Sequence, residues 1–244
     1  MSQTKGLVSI VIPTCGAEQE FTECIRSILS FTKHPFELIT VYNGVKYNLS
    51  SNITLPLKMV YLPKNKGWMG GINAARDVVN GEYVLMLNDD TQVLDFDSDW
   101  LGRLVTKLEH NKGVGAVGPI SNAIMGVQNL SCSSGMPNKC HTTPVLSGCC
   151  LLVRRDLLDK VGWLDESLPG GDDLDLSIRI RDTGNELAVS RDVFIYHQYA
   201  TSGKKLHGSY WDSVDHVEDI QNALAKKHGL KKSLMMQQGA YVEN

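Results

Sequence analysis

Short apolar, β-branched runs alternate with segments of helical spacing along most of this chain, and that alternation limits its fold more than any other feature. LVSIVIP (residues 7–13) is closed by Pro13 and followed by Phe21, Ile25, Ile28 and Leu29 at helical spacing. FELITVYNG (36–44) and KMVYLP (58–63) read as second and third strands ending in turn residues. GGINAARDVVNG (70–81) reads as a helix bounded by glycines, and YVLML (83–87) as a fourth strand. Strands separated by helices imply a mostly parallel sheet covered on both faces. Ligands of such open sheets bind beyond the carboxyl ends of the strands. The strand ends Pro13-Thr14, Tyr42-Asn43-Gly44 and Asp89-Asp90 are therefore expected to face one crevice.

The second half continues the pattern. WLGRLVTKLEHN (100–111) is amphipathic, GVGAVGP (113–119) is a glycine-rich strand, and SGCCLLVRRDLLDKVG (147–162) is a strand followed by a helix stopped at Gly162. Residues 121–145 are polar without a period, as a binding loop would be. In GGDDLDLSIRIRDTG (170–184) the periods conflict. Leu174, Leu176, Ile178 and Ile180 alternate like a strand, whereas an aspartate cap, the Leu174–Ile178 spacing and a stop at Gly184 suit a helix; the helix is the expectation here. LAVSRDVFIYH (187–197) is a strand ending at His197. WDSVDHVEDIQNALAKKHG is a closing helix with Val214, Val217, Ile220 and Leu224 on one face and His216 and His228 on its surface. One domain over residues 1–229 with a loose tail at 230–244 is the expected organisation.

The segment MLNDDT places Asp89 and Asp90 side by side directly behind an apolar strand. Adjacent carboxylates repel unless a cation or a hydrogen-bonding ligand comes between them; a strand running out into a solvated turn explains them equally well. Bulk properties set the frame. At 244 residues, 42% hydrophobic and 21% charged, the chain can bury one large α/β core. A net charge of -3 supplies no overall basic field for nucleic acid. The absence of a leader pattern or an apolar run of spanning length leads to the expectation of a cytosolic protein with no transmembrane segment. Six cysteines without C-x-x-C spacing argue against structural zinc, and Cys132, Cys140 and His141 are too loosely spaced to specify a metal or redox cluster.

Taken in order, VSIVIPT, YNG, NKGWMGGIN, LNDDT, SGCCLLVRRDLLDKVGWLDE, GGDDLDLSIRIRDTG and IYH resemble the family-2 glycosyltransferases over about residues 7–200. The resemblance implies a single-domain, Rossmann-like nucleotide-sugar-binding α/β fold of the GT-A type, with a mostly parallel mixed central sheet. It implies inverting transfer of a sugar from a UDP-, dTDP- or GDP-sugar to an acceptor hydroxyl. Asp90 corresponds to the last carboxylate of the family's metal motif and would hold Mg²⁺ or Mn²⁺, with His197 as a further ligand. Asp89 would hydrogen-bond the ribose or the donor sugar. Asn88 stands where many relatives have aspartate.

GDDLDL resembles the family's EDxDL segment, which puts Asp173 on the catalytic base and Asp172 where glutamate is commoner. A helix start would hold that carboxylate in place and favour its ionised form. Pro13 and Thr14 match the first nucleotide-contacting turn, Asn65 the neighbourhood of the base, and Gly70 and Gly71 a close backbone approach. Tyr42 departs from the pattern, since relatives usually carry DNGS where this chain has YNGV; a tyrosine there is expected to stack on a base or to donate its hydroxyl. Trp68 suits a sugar pocket or a core, and Arg76 a solvated helix. A catalytically inactive glycan- or nucleotide-binding member is the alternative reading. A sugar-nucleotide pyrophosphorylase is disfavoured, because PTCGAEQEF lacks an arginine-bearing phosphate loop.

Overall fold

A computed structural model describes residues 3–45, 57–96, 99–124, 126–133, 141–198 and 213–229. The tail expected at 230–244 lies outside these residues, as do Cys140 and most of the segment after His197. The strands are β1 (Thr4–Thr14), β2 (Phe36–Asn43), β3 (Leu57–Leu62), β4 (Gly81–Leu87), β5 (Thr91–Gln92), β6 (Val114–Ser121), β7 (His141–Thr143), β8 (Cys150–Arg154) and β9 (Glu186–His197). They form one mixed sheet in the order β3-β2-β1-β4-β8-β6-β9-β5, with β7 beside β9. The helices are α1 (Glu18–Phe31), α2 (Gly67–Asn73), α3 (Trp100–His110), α4 (Leu130–Ser133), α5 (Arg155–Val161), α6 (Asp172–Asp182) and α7 (Val214–His228).

Strands β1, β2, β3 and β4 are parallel, and the chain leaves β1 toward β2 and β3 on one side and returns to β4 on the other. The order therefore reverses between β1 and β4, and that opening at the carboxyl ends is where an α/β sheet takes a ligand. Strand β8 runs antiparallel to β4 with Cys150 opposite Leu87, so the SGCC turn before it reaches the same edge. Strand β9 runs parallel to β6 and ends there at His197.

One core cluster packs α1 and α3 on the sheet through Phe21, Ile25, Ile28, Trp100, Leu104 and Leu108; the other face is covered by α2, α5 and α6. Helix α6 explains the conflict of periods in its sequence. Leu176 and Ile180 face the sheet, whereas Leu174 and Ile178 face α7. Two i,i+4 pairs serving two neighbours alternate in sequence like a strand.

Several local expectations are corrected. Helix α2 begins at Gly67 and ends at Asn73, so Gly70 and Gly71 lie inside it and the following residues form turns. The 121–145 segment is only partly loop: it contains a 3₁₀ turn at Gly126–Gln128, α4 and β7. On α7, Ile220, Ala223 and Leu224 pack against Leu168, Leu174 and Ile178, while Val214 and Val217 stay exposed. His216 is buried, and His228 donates from Nε2 to Asp175 at 2.7 Å, so neither is a surface group. Among the described residues no helix is long and apolar enough to cross a membrane.

Candidate active site

Asp89 and Asp90 follow the last residue of β4 and are 6% and 5% exposed. Burial pushes the Asp89 carboxyl up to about 7, opposed by the neighbouring Thr14 hydroxyl and reinforced by the charge of Asp90. Thr14 ends β1, so this neighbour lies across the opening between β1 and β4. Pairing of Thr91 in β5 with His197 in β9 brings Asp90 to the histidine, with Asp90 Oδ1 3.2 Å from His197 Nε2. The other ring nitrogen, Nδ1, lies 2.9 Å from the Ala123 carbonyl, an acceptor only, so Nδ1 carries a proton. Nε2 is thereby left facing Asp90, with the Asn88 amide 3.3 Å away. Burial works to lower the imidazole pKa, but the hydrogen bond and charge of Asp90 outweigh it and raise the value.

The second carboxylate pair opens α6. Gly171 caps the helix in the left-handed conformation, φ 70°, so Asp172 and Asp173 are its first two residues and neither carboxylate is the cap. Asp173 accepts from the Leu174 amide at 2.7 Å, and the Gly148 amide of the SGCC turn adds a further bond. Burial nevertheless raises both pKa values, with mutual repulsion adding to that of Asp172 and an indole hydrogen bond from Trp68 opposing it; Asp172 is pushed to about 7. The helix start thus holds these groups in place, while burial works against the ionisation that the helix start favours. The two carboxyls are close enough to titrate as a coupled unit.

The SGCC turn joins the two pairs. The Cys149 carbonyl accepts from the Asn88 backbone N–H at 2.9 Å, and the buried Cys149 thiol, pushed up to about 12, feels the charges of both Asp90 and Asp173. The buried cysteines 24, 149 and 150 are free thiols. Among the described residues no group of three or more His, Cys, Asp or Glu side chains is set for a metal; Asp90 and His197 stand together as a pair.

The nucleotide-side expectations divide. Asn65 is exposed, with its Oδ1 accepting from the Gly67 amide at 2.8 Å, and Arg76 is exposed as expected, although in the turns after α2 rather than in a helix. Gly71 does permit a close approach, but of protein to protein. A Cβ there would lie 2.7 Å from Pro13 Cβ, so the glycine lets α2 press on the buried Pro13. Tyr42 is corrected outright. Its fully buried ring packs edge-on to Phe21 at 5.9 Å and stacks on Tyr61 at 4.9 Å, leaving no face for a base. Residues on a strand alternate faces, and register puts Tyr42 beneath α1.

Asn43, the next residue, turns the other way. Its side chain accepts from Lys66 N and donates to Gly67 O, both at 2.8 Å, strapping the tip of β2 to the start of α2. Gln128 does the same for the SGCC turn, bonding Ser147 N and Pro119 O. Neither strap was foreseen; Asn43 sits in a turn dipeptide that masks it, and Gln128 carries no local signal.

The family model for glycosyl transferase family 2 matches residues 9–162. The chain belongs to glycosyl transferase family 2. Among similar proteins of this family is an uncharacterised glycosyltransferase of Rickettsia prowazekii, 28% identical over 94% of this chain and 75% of its own length. Others are longer: the chain spans 25% of a Sinorhizobium fredii protein to which it is 26% identical over 80% of its length, and 31% of a Rickettsia felis glycosyltransferase. The fold is the family's GT-A type. A Pyrobaculum calidifontis mannosyltransferase in complex with GDP-Man and Mn²⁺ superposes with a TM-score of 0.63 at 17% identity, over 96% of this chain and 79% of that one. Staphylococcus aureus TarS, residues 1–349 with UDP-GlcNAc, gives 0.66 at 19% identity, over 96% and 72%.

Proposed function

We propose that this family-2 glycosyltransferase moves a sugar from a nucleoside-diphosphate donor to an acceptor hydroxyl with inversion, Asp173 acting as the general base. The observation that carries the reading is the meeting of two carboxylate pairs at the SGCC turn, one beside a histidine of committed tautomer and one at a helix start. Asp90 and His197 suit a divalent cation such as Mg²⁺ or Mn²⁺: a carboxylate oxygen and an imidazole nitrogen converge, and the second imidazole nitrogen is anchored on a carbonyl, as ligating histidines usually are. When bound, the cation offsets the charge that builds on a leaving diphosphate. The metal in the Pyrobaculum complex supports this assignment.

Asp89, beside Thr14, meets the ribose or the donor sugar, and the exposed tip at Asn65 lies beside the base, with Pro13 and Gly71 holding the wall behind it. Asp173 takes the proton of the attacking hydroxyl. Its fixed backbone bonds orient it, and its raised pKa gives it basicity that an ordinary aspartate lacks. Asp172, held by Trp68, carries the second charge of the pair and steers the acceptor. Thermal melts with UDP, dTDP and GDP, each with and without Mn²⁺, test the donor site. One nucleotide is expected to raise Tm only with metal; stabilisation equal in a chelator removes the metal assignment.

A further inference from the structure

Helix α7 follows the sheet in sequence and contributes nothing to it, yet it is fastened to the first turns of α6. Asp175, three residues after Asp172, has a side chain of 0% exposure, and its two oxygens are divided between helices. Oδ2 accepts from Arg179 Nε and Nη2 at 2.9 and 2.6 Å, within α6. Oδ1 accepts from Lys227 Nζ and His228 Nε2, both at 2.7 Å, from α7. Burial works to raise the pKa of this carboxyl, and these bonds outweigh it.

Lys227 also reaches Asp165 Oδ2 at 2.6 Å, in the turn before α6. From the opposite side α2 holds the same turn: Asn73 Nδ2 donates to Leu164 O at 2.8 Å and to Glu166 Oε1 at 2.9 Å. The apolar face of α7 closes the arrangement. A Cβ at Gly170 or Gly171 would lie 2.8 Å from Ile220, so α7 presses on the two residues that immediately precede Asp172.

We infer that α7 is a working part of the transfer site: acting through Asp175, Lys227 and His228 hold the first turn of α6 and screen its charge where it carries Asp172 and Asp173. Asp175, Lys227 and His228 are positioning residues, and the inference rests on the reading of Asp173 as base. The groups around the Asp172–Asp173 pair can be named. On α6 these are Asp175, whose charge adds to the repulsion on Asp172, and Arg179; on α2, the Trp68 indole. The SGCC turn offers the Gly148 amide and the Cys149 thiol, with Asp90 beyond it. The turn before α6 brings Asp165 and Glu166, and α7 brings His216 near Gly170 together with Lys227 and His228. Removing the Lys227 ammonium leaves the charge of Asp175 less compensated, which disfavours ionisation of the pair.

The test is a ¹³C NMR titration of aspartate-labelled full-length protein, with the pair assigned through Asp172→Asn and Asp173→Asn. Lys227→Met is expected to move the midpoint of the pair upward by about half a pH unit or more, with His228→Gln moving it less. The acid limb of nucleotide-sugar hydrolysis should move with it, kcat at pH 6.5 falling by about threefold or more while the donor KM holds. Should Lys227→Met fail to fold, Ile220→Ala instead removes the apolar contact of α7 on Gly170 and Gly171 and is expected to lower kcat likewise. A fall in Tm with the midpoint and kcat unchanged would overturn the inference, because α7 would then be a brace alone. If the midpoint moves but Asp173→Asn hydrolyses donor at the wild-type rate, the positioning stands and the base assignment falls.

Discussion

At the amino-terminal side of the sheet, Glu37 is a well-supplied carboxylate. It accepts from the Ser9 hydroxyl and the Asn80 amide, both at 2.5 Å, and from Lys58 at 2.7 Å. Burial acts to raise its pKa, and these partners bring it below the usual value. At the carboxyl side the balance reverses: burial, joined by neighbouring like charge at Asp89 and Asp172, prevails at Asp89, Asp172 and Asp173 over a hydroxyl, an indole and a few amides, and their pKa values rise. The same chemistry is satisfied where it supports the fold and left under tension at the carboxyl edge, where we propose the donor enters. Asp175 shows the contrast within one helix, since its basic partners bring it below the usual value one turn from the raised pair.

The comparison breaks most sharply at the base. Asp173→Asn keeps the size of the side chain but removes its basicity, so nucleotide binding should survive while turnover falls by about 10² to 10⁴. Asp172→Asn should cost less; a larger loss there would move the base by one residue. Asp90→Ala should abolish metal-dependent stabilisation by nucleoside diphosphate with the fold intact, read from melts with and without Mn²⁺.

Next come the effects on stability. Glu37→Gln should destabilise the protein by about 1–3 kcal/mol in urea titrations at pH 7, with kcat per folded molecule unchanged. The pH dependence should then run in opposite directions at the two edges. The folded pKa of Glu37 is depressed, so its contribution is full above the unfolded value and fades as pH falls through the folded one. The folded pKa of Asp172 is raised from 3.8 to about 7. Its ionisation therefore costs the fold nothing below the unfolded value and the full amount above pH 7. Asp172→Asn should then gain stability at pH 8 and almost none at pH 4 in urea titrations. Parallel pH profiles for the two variants would erase the distinction between the edges. The smallest effect is expected at Tyr42: Tyr42→Phe keeps the packing with Phe21 and Tyr61, and nucleotide affinity should be unchanged.

How much of this could be read in the sequence depended on how local each signal was. Strand ends could be read, because an apolar run meeting a polar pair is a local event, and Asp89-Asp90 and the GDD helix start lie where the pattern put them. The face Tyr42 takes is set by its register with Thr14 and Tyr61 on two other strands, which no window around residue 42 contains. β5 and β7, of two and three residues, are too short to show a period, yet β5 brings Asp90 to His197. Asp175 and Arg179 look like a solvated i,i+4 pair until α7 covers them. What was missed therefore consists mainly of contacts made across large separations in sequence.

The most direct test of the carboxyl-edge site is ¹H NMR of the purified protein with a panel of UDP-, dTDP- and GDP-sugars, with Mn²⁺ or with a chelator, water standing in for the acceptor. The account predicts metal-dependent release from one of these donors, with the free sugar appearing first as the anomer opposite to that of the donor and no release by Asp173→Asn. Release with the donor's own anomeric configuration, release indifferent to the chelator, or none from any donor would contradict it.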